Sequence, residues 1–174
     1  MRIALDAMGG DYAPAVTVEG AIGAVSESKD LAVILVGNEA DLINELKGKD
    51  YPASLISIKH ASQVVEMGES PVTALRRKKD SSIKVAVELV KAGEADAMVS
   101  AGNSGMVMAA ALFILGKLQG VERPAIAAVM PTLKGLFVLI DAGDADERDQ
   151  PTQLDIIEVG REIDCGTCEI AGRR

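Results

Sequence analysis

The sequence predicts a layered α/β fold whose mostly parallel sheet is covered by helices on both faces. Short apolar runs without polar alternation recur along the first 140 residues, as strands buried on both faces do. Between them lie stretches whose apolar residues return at helical spacing, the pattern that builds βαβ units. The size agrees: 174 residues, 48% apolar and 25% charged, suit one globular domain.

Taken in order, Ile3-Ala4-Leu5 reads as a buried strand entering the tight loop Asp6-Ala7-Met8-Gly9-Gly10-Asp11. Pro14 to about Ser28 reads as a helix, with proline near its first turn and Val16, Gly20, Ile22, Gly23 and Val25 able to line one side. Leu31 to Val36 is a second strand closed by Gly37, and Glu39 to Leu46 carries Leu42, Ile43 and Leu46 at helical spacing. Leu55, Ile56 and Ile58 form a third strand before His60. Pro71 to Leu75 suggests a short helix bearing the cluster Arg76-Arg77-Lys78-Lys79, two of its four charges facing inward.

Asp80-Ser81-Ser82 opens another helix, which Lys91-Ala92-Gly93 ends with a cation and then a glycine. Asp96 to Ser100 is a strand, Ala101 to Gly105 a small-residue loop, and Met106 to Leu118 a helix apolar almost all round. Ala125 to Met130 and Leu136 to Ile140 are two more strands, whose short link permits a hairpin or a simple extended passage. From Asp141 the character changes: ten acids, four arginines and no lysine leave a net charge of −6, against −2 for everything before.

Composition excludes several classes. Four aromatics (Tyr12, Tyr51, Phe113, Phe137) and a net charge of −8 argue against nucleic acid, which wants stacking platforms and cations. Asp6 interrupts the apolar run a signal peptide would need, and the longest apolar stretch, Gly105 to Gly116, is short of the ~20 residues of a membrane span. A soluble, cytoplasmic protein is expected. Cys165 and Cys168 form a C-x-x-C without a second ligand pair, so no metal is expected. No nucleotide fingerprint is present, and no cofactor is expected.

The strongest chemical signal is Ser100-Ala101-Gly102-Asn103-Ser104-Gly105, between a strand and a helix. Small residues let backbone approach a ligand, a helix start offers unpaired N–H groups, and Ser100, Asn103 and Ser104 add donors; such a turn holds phosphate. Equally, Asn103 or Ser104 could simply cap the helix. The loop containing Asp6, Gly9, Gly10 and Asp11 follows the first strand and could face the same crevice, or be a sharp turn with Asp11 capping the next helix. Arg76 to Lys79 could hold an anion or meet an acidic protein, or be a solvated connector. His60, the sole histidine, could serve as acid or base, or be structural.

As an ordered set, Leu5 to Asp11, His60-Ala61-Ser62, Glu69 to Val72, Arg77 to Ser82, Ser100 to Gly105, Arg123-Pro124-Ala125 and Asp141-Ala142-Gly143 closely resemble the phosphate acyltransferases of bacterial phospholipid synthesis, the PlsX family. The resemblance covers residues 1 to about 143. It implies a three-layer, isocitrate/isopropylmalate dehydrogenase-like fold, incomplete in this chain because family members are roughly twice as long. It also implies acyl transfer from acyl carrier protein to inorganic phosphate, giving acyl phosphate, by a homodimer peripherally associated with membrane.

On that reading, backbone N–H groups of Gly102 to Gly105 hold phosphate, with Asn103 and Ser104 assisting. Asp6, Gly9, Gly10, Asp11 and Ser100 complete the phosphate site, while Arg76, Arg77, Lys78 and Lys79 meet the carrier protein. A cation such as Lys79 neutralises developing charge and His60 assists the leaving thiolate. Residues 144 to 174 form a divergent acidic tail, expected from a fragment or frameshift, or from a short non-catalytic paralogue that binds phosphate or carrier protein.

Overall fold

The computed structural model describes residues 1–117, 119, 126–132 and 135–140. The acidic tail, the cysteine pair, and the Arg123-Pro124-Ala125 and Asp141-Ala142-Gly143 motifs lie outside the described residues. The chain forms two compact units, residues 1–116 and 117–174.

The first unit contains β1 (Arg2–Asp6), α1 (Ala15–Glu27), β2 (Ala32–Gly37), α2 (Glu39–Leu46), β3 (Ile56–His60), α3 (Pro71–Arg77), α4 (Ser82–Lys91), β4 (Ala97–Ser100) and α5 (Ser104–Ala110). Past α5 the coil widens to a π-type turn over Ala111–Leu115 and stops at Gly116, whose φ of 91° suits glycine. The second unit holds β5 (Ala127–Thr132) and β6 (Gly135–Ile140), an antiparallel pair.

Four parallel strands make one sheet in the order β3-β2-β1-β4. The pleat of β2 explains its unbroken apolar sequence. Val33 and Leu35 join Val18, Val25, Leu42 and Leu46 on one face, while Ile34 and Val36 join Val85, Ala86 and Leu89 on the other. Helices α1 and α2 therefore cover one face and α4 the other, giving three layers. A further cluster under α3, α4 and α5 is built on Ala74, Ile83, Val87, Met106 and Ala110.

Several local expectations need correcting. In α1 the buried residues are Val18, Ala21 and Val25, with Ile22 packed beside them, whereas Val16, Gly20 and Gly23 are exposed. Both stripes fit a helical period, and the one with more apolar volume faces β2. Asp11 does not cap α1: Pro14 stands at the cap position without a side-chain bond. The last helix of the unit starts at Ser104 instead of Met106, because Asn103 caps it, and it ends before Leu118. Asn38 caps α2, its Oδ1 accepting from the N–H groups of Ala40 at 3.0 Å and Asp41 at 3.5 Å.

Candidate functional site

Strand order makes β1 and β4 special. From β1 the chain steps outward through α1 and α2 to β3, then returns through α3 and α4 to β4 on the other side of β1. Loops leaving the carboxyl ends of β1 and β4 lead to helices on opposite faces, and the switch-point crevice, where open α/β sheets take ligands, lies above the line on which the two loops meet. Asp6 and Ser100 pair across the ladder at that end. Two of the sequence's candidate loops are thereby brought together.

The floor of the crevice is a short hydrogen-bonded chain. Asp6 is 1% exposed. Its Oδ2 accepts from the Ser100 hydroxyl at 2.7 Å and its Oδ1 from the Met8 N–H at 3.2 Å. The Ser100 Oγ in turn accepts from the Gly102 N–H at 3.0 Å. Above this floor the two loops touch through backbone: a Cβ on Gly9 would lie 2.5 Å from Asp6 Oδ2 and 2.8 Å from the Gly102 nitrogen. Gly10 has φ of 101°. One glycine is therefore demanded by contact and the other by conformation.

Asn103 is buried, and its side chain is engaged on both ends. Its Oδ1 accepts from the Met106 N–H at 2.9 Å, capping α5. Its amide hydrogens are shared among the carbonyls of Glu66 at 3.1 Å, Met67 at 3.0 Å and Glu69 at 3.1 Å. Asn103 thus clasps the 66–69 loop against the start of α5. Pro71 reinforces the contact, since a Cβ on Gly105 would come 2.7 Å from Pro71 Cγ. Reading residues along the chain does not find this clasp, because the groups that Asn103 holds are carbonyls, which every residue has. Among the described residues no partner accepts from the N–H groups of Ser104 and Gly105, as expected for a first helical turn.

The remaining candidates stand apart. Pro71 at the amino end of α3 approaches α5, whereas Arg76 and Arg77 occupy its last turn, about 8 Å along the axis. Only Lys78 turns inward, where two inward charges were expected. Its Nζ donates to the Val64 carbonyl at 2.6 Å and pairs with Glu69. Arg76, Arg77 and Lys79 are exposed, and no acidic group pairs with them among the described residues. His60 ends β3, three strands from β4 and so about 14 Å across the sheet. Its Nδ1 accepts from the Glu39 N–H at 3.3 Å, at the start of α2. Asp11 is exposed.

Two surface hollows, of 340 and 410 Å³, lie elsewhere, near Met1, Arg2 and Glu94 and along Ser57, Lys59 and Leu89. Cations beside the first are already held by backbone carbonyls: the Met1 ammonium donates to that of Asp30 and the Arg2 guanidinium to that of Glu94. Neither hollow gathers donors as the switch-point crevice does.

Two carboxylates near the clasp are held below their usual range. The Lys78 ammonium lowers Glu69, helped by the Glu66 N–H; the Ser62 hydroxyl and N–H lower Asp80, helped by His60 and Lys84. Depressed folded-state values mean that both groups stabilise the fold above the ordinary carboxylate range and lose that contribution as pH falls from that range through their lower folded values. The urea midpoint should therefore fall between pH 6 and about 3. The double variant Glu69→Gln, Asp80→Asn should show a shallower fall; an identical pH profile would count against these two groups.

Residues 1–156 match the family described as "Fatty acid synthesis protein". The chain belongs to that family. Within this fatty acid synthesis protein family, the phosphate acyltransferase of Alkaliphilus oremlandii is 51% identical over 143 residues, covering 82% of this chain and 42% of the relative. That of Pelotomaculum thermopropionicum is 55% identical over 143 residues, with 82% and 41% covered. That of Syntrophomonas wolfei is 46% identical over 165 residues, with 95% and 47% covered. The chain thus spans less than half the length of these curated relatives. A phosphotransacetylase from Streptococcus pyogenes shares the fold, with a TM-score of 0.55 at 18% identity over 79% of this chain and 45% of that one.

Proposed function

We propose that this chain carries the phosphate-binding part of an acyltransferase that moves a fatty acyl group from acyl carrier protein to inorganic phosphate. The observation that carries the reading is the switch-point crevice, where Gly9 and Gly102 meet backbone to backbone beside the open first turn of α5. The family's phosphate acyltransferases support it. Phosphate sits against the N–H groups of Ser104 and Gly105, with the Ser104 hydroxyl beside them; Asn103 contributes by holding the turn. A phosphate oxygen attacks the thioester carbonyl, the C–S bond breaks, and the phosphate proton leaves with the carrier's thiol. Such a transfer needs no covalent bond to the enzyme.

The exposed cations Arg76, Arg77 and Lys79, which have no acidic partner among the described residues, suit the acidic surface of a carrier protein, with Lys78 retained for the fold. His60 and Lys79, placed away from the turn, would act only on parts of the substrate that reach them. We also read the parallel sheet as part of an isocitrate/isopropylmalate dehydrogenase-like fold, and the change in charge after residue 143 as a domain boundary. Homodimer formation, a cytoplasmic location and peripheral membrane association belong to the same reading. No helix among the described residues is long and apolar enough to cross a membrane.

The 174-residue chain, incubated with acylated carrier protein and inorganic phosphate, should form a hydroxylamine-reactive acyl phosphate. Phosphate or carrier-protein binding without product would favour the second reading, a non-catalytic binding module. Absence of both would remove the proposal.

A further inference from the structure

The buried carboxylate of Asp6 lies under the crevice, where an anion is expected, and a second negative charge there calls for a reason. It is 1% exposed, with the Gly9 backbone over its Oδ2. An ionised carboxylate only accepts hydrogen bonds, and burying one is costly unless donors surround it. Both of its partners donate: the Met8 N–H on β1's own loop and the Ser100 hydroxyl from β4. A serine hydroxyl has a single hydrogen, and here it goes to Asp6. Oγ is left as an acceptor, and the Gly102 N–H fills that role at 3.0 Å. Asp6 thereby sets the direction of the whole chain, from Gly102 to Ser100 to carboxylate.

We propose that Asp6 is a positioning residue, which shapes the β4–α5 turn through the Ser100 hydroxyl and does not touch the bound anion. This rests on reading the crevice as a phosphate site. Two consequences follow from the hydrogen count. Neither Ser100 nor Gly102 has its hydrogen left for phosphate, so their part in binding is structural. An amide at position 6 weakens the chain: its NH₂ can donate to Ser100, whose oxygen then accepts from both sides, releases its hydroxyl hydrogen and loses the polarisation that the carboxylate gave the Gly102 bond.

The test compares Asp6→Asn, Ser100→Ala, Ser100→Thr and the double variant Asp6→Asn, Ser100→Ala in the 174-residue chain. Two readouts are used: exchange of the Gly102 amide hydrogen by NMR, and titration with inorganic phosphate. Asp6→Asn and Ser100→Ala should each speed Gly102 exchange about tenfold, with the Leu35 amide in β2 unchanged. Ser100→Thr, which keeps the hydroxyl, should retain protection. Asp6→Asn should weaken phosphate about tenfold when Ser100 is present and have no effect in the Ser100→Ala background.

Equal weakening in both backgrounds would mean that Asp6 acts on the anion directly, and would overturn the proposal. Unchanged Gly102 protection in either Asp6→Asn or Ser100→Ala would overturn it too. If the parent chain binds no phosphate, the phosphate reading fails, and the exchange results alone decide the positioning role. Should Asp6→Asn fail to fold, the Ser100→Ala and Ser100→Thr pair reads the same chain of bonds with Asp6 intact.

Discussion

Gly9→Ala is expected to destabilise the protein by about 3 kcal/mol and to abolish phosphate binding at the switch-point crevice. The added methyl would lie 2.5 Å from Asp6 Oδ2, 2.8 Å from the Gly102 nitrogen and 3.1 Å from its Cα. None of these atoms can swing aside. The carboxylate is pinned by Ser100 and Met8, and the other two are backbone of the turn itself. Relief requires the β1 and β4 loops to separate, which breaks the Asp6–Ser100–Gly102 chain. Gly20→Ala serves as the control, because a methyl added at that glycine in α1 would meet nothing within 4 Å. It should stabilise by about 0.5–1 kcal/mol through helix propensity. Guanidinium unfolding of the two variants should shift in opposite directions; a tolerated Gly9→Ala would show that the loops are not in contact.

Asn103→Ala should cost a similar amount, about 3 kcal/mol, from two separate losses. The first is the cap on Met106 N–H, worth about 1 kcal/mol. The second is the amide shared by the carbonyls of Glu66, Met67 and Glu69, which lose a donor at a cost of about 1–3 kcal/mol. Asn103→Asp separates them. It keeps the capping oxygen but sets a negative charge against three carbonyls, so it should be no better than alanine. Denaturation gives the total, and hydrogen exchange of residues 66–69 shows whether that loop is released. An Asn103→Asp variant as stable as the parent would remove the clasp from the account.

The capping half of this behaviour is legible in the sequence, since an asparagine before an apolar run is an ordinary helix start. The clasping half is not. Three carbonyls carry no residue identity, and the 66–69 loop lies more than thirty positions from its partner. The basic cluster shows the same divide. Four consecutive cations announce a charged patch, yet only the nearness of the Val64 carbonyl and Glu69 singles out Lys78 as the half-buried member. Likewise, the apolar stripes of α1 are both helical in period, and contact with β2 decides which is covered. His60 stands out in the sequence as the sole histidine; the strand order carries it to the far edge of the sheet.

The sequence by itself determined the α/β class, the alternation of strands and helices, and the two loops from which the crevice is made. Hydrophobic period and turn chemistry are local properties, written within a few residues of where they act. The tertiary structure alone decided that β4 returns beside β1, and therefore that Asp6 meets Ser100 across 94 positions of chain. It also decided that the serine gives its hydrogen inward. Which donor faces a ligand depends on which acceptor lies within about 3 Å, and that distance is fixed by the packing of the whole sheet.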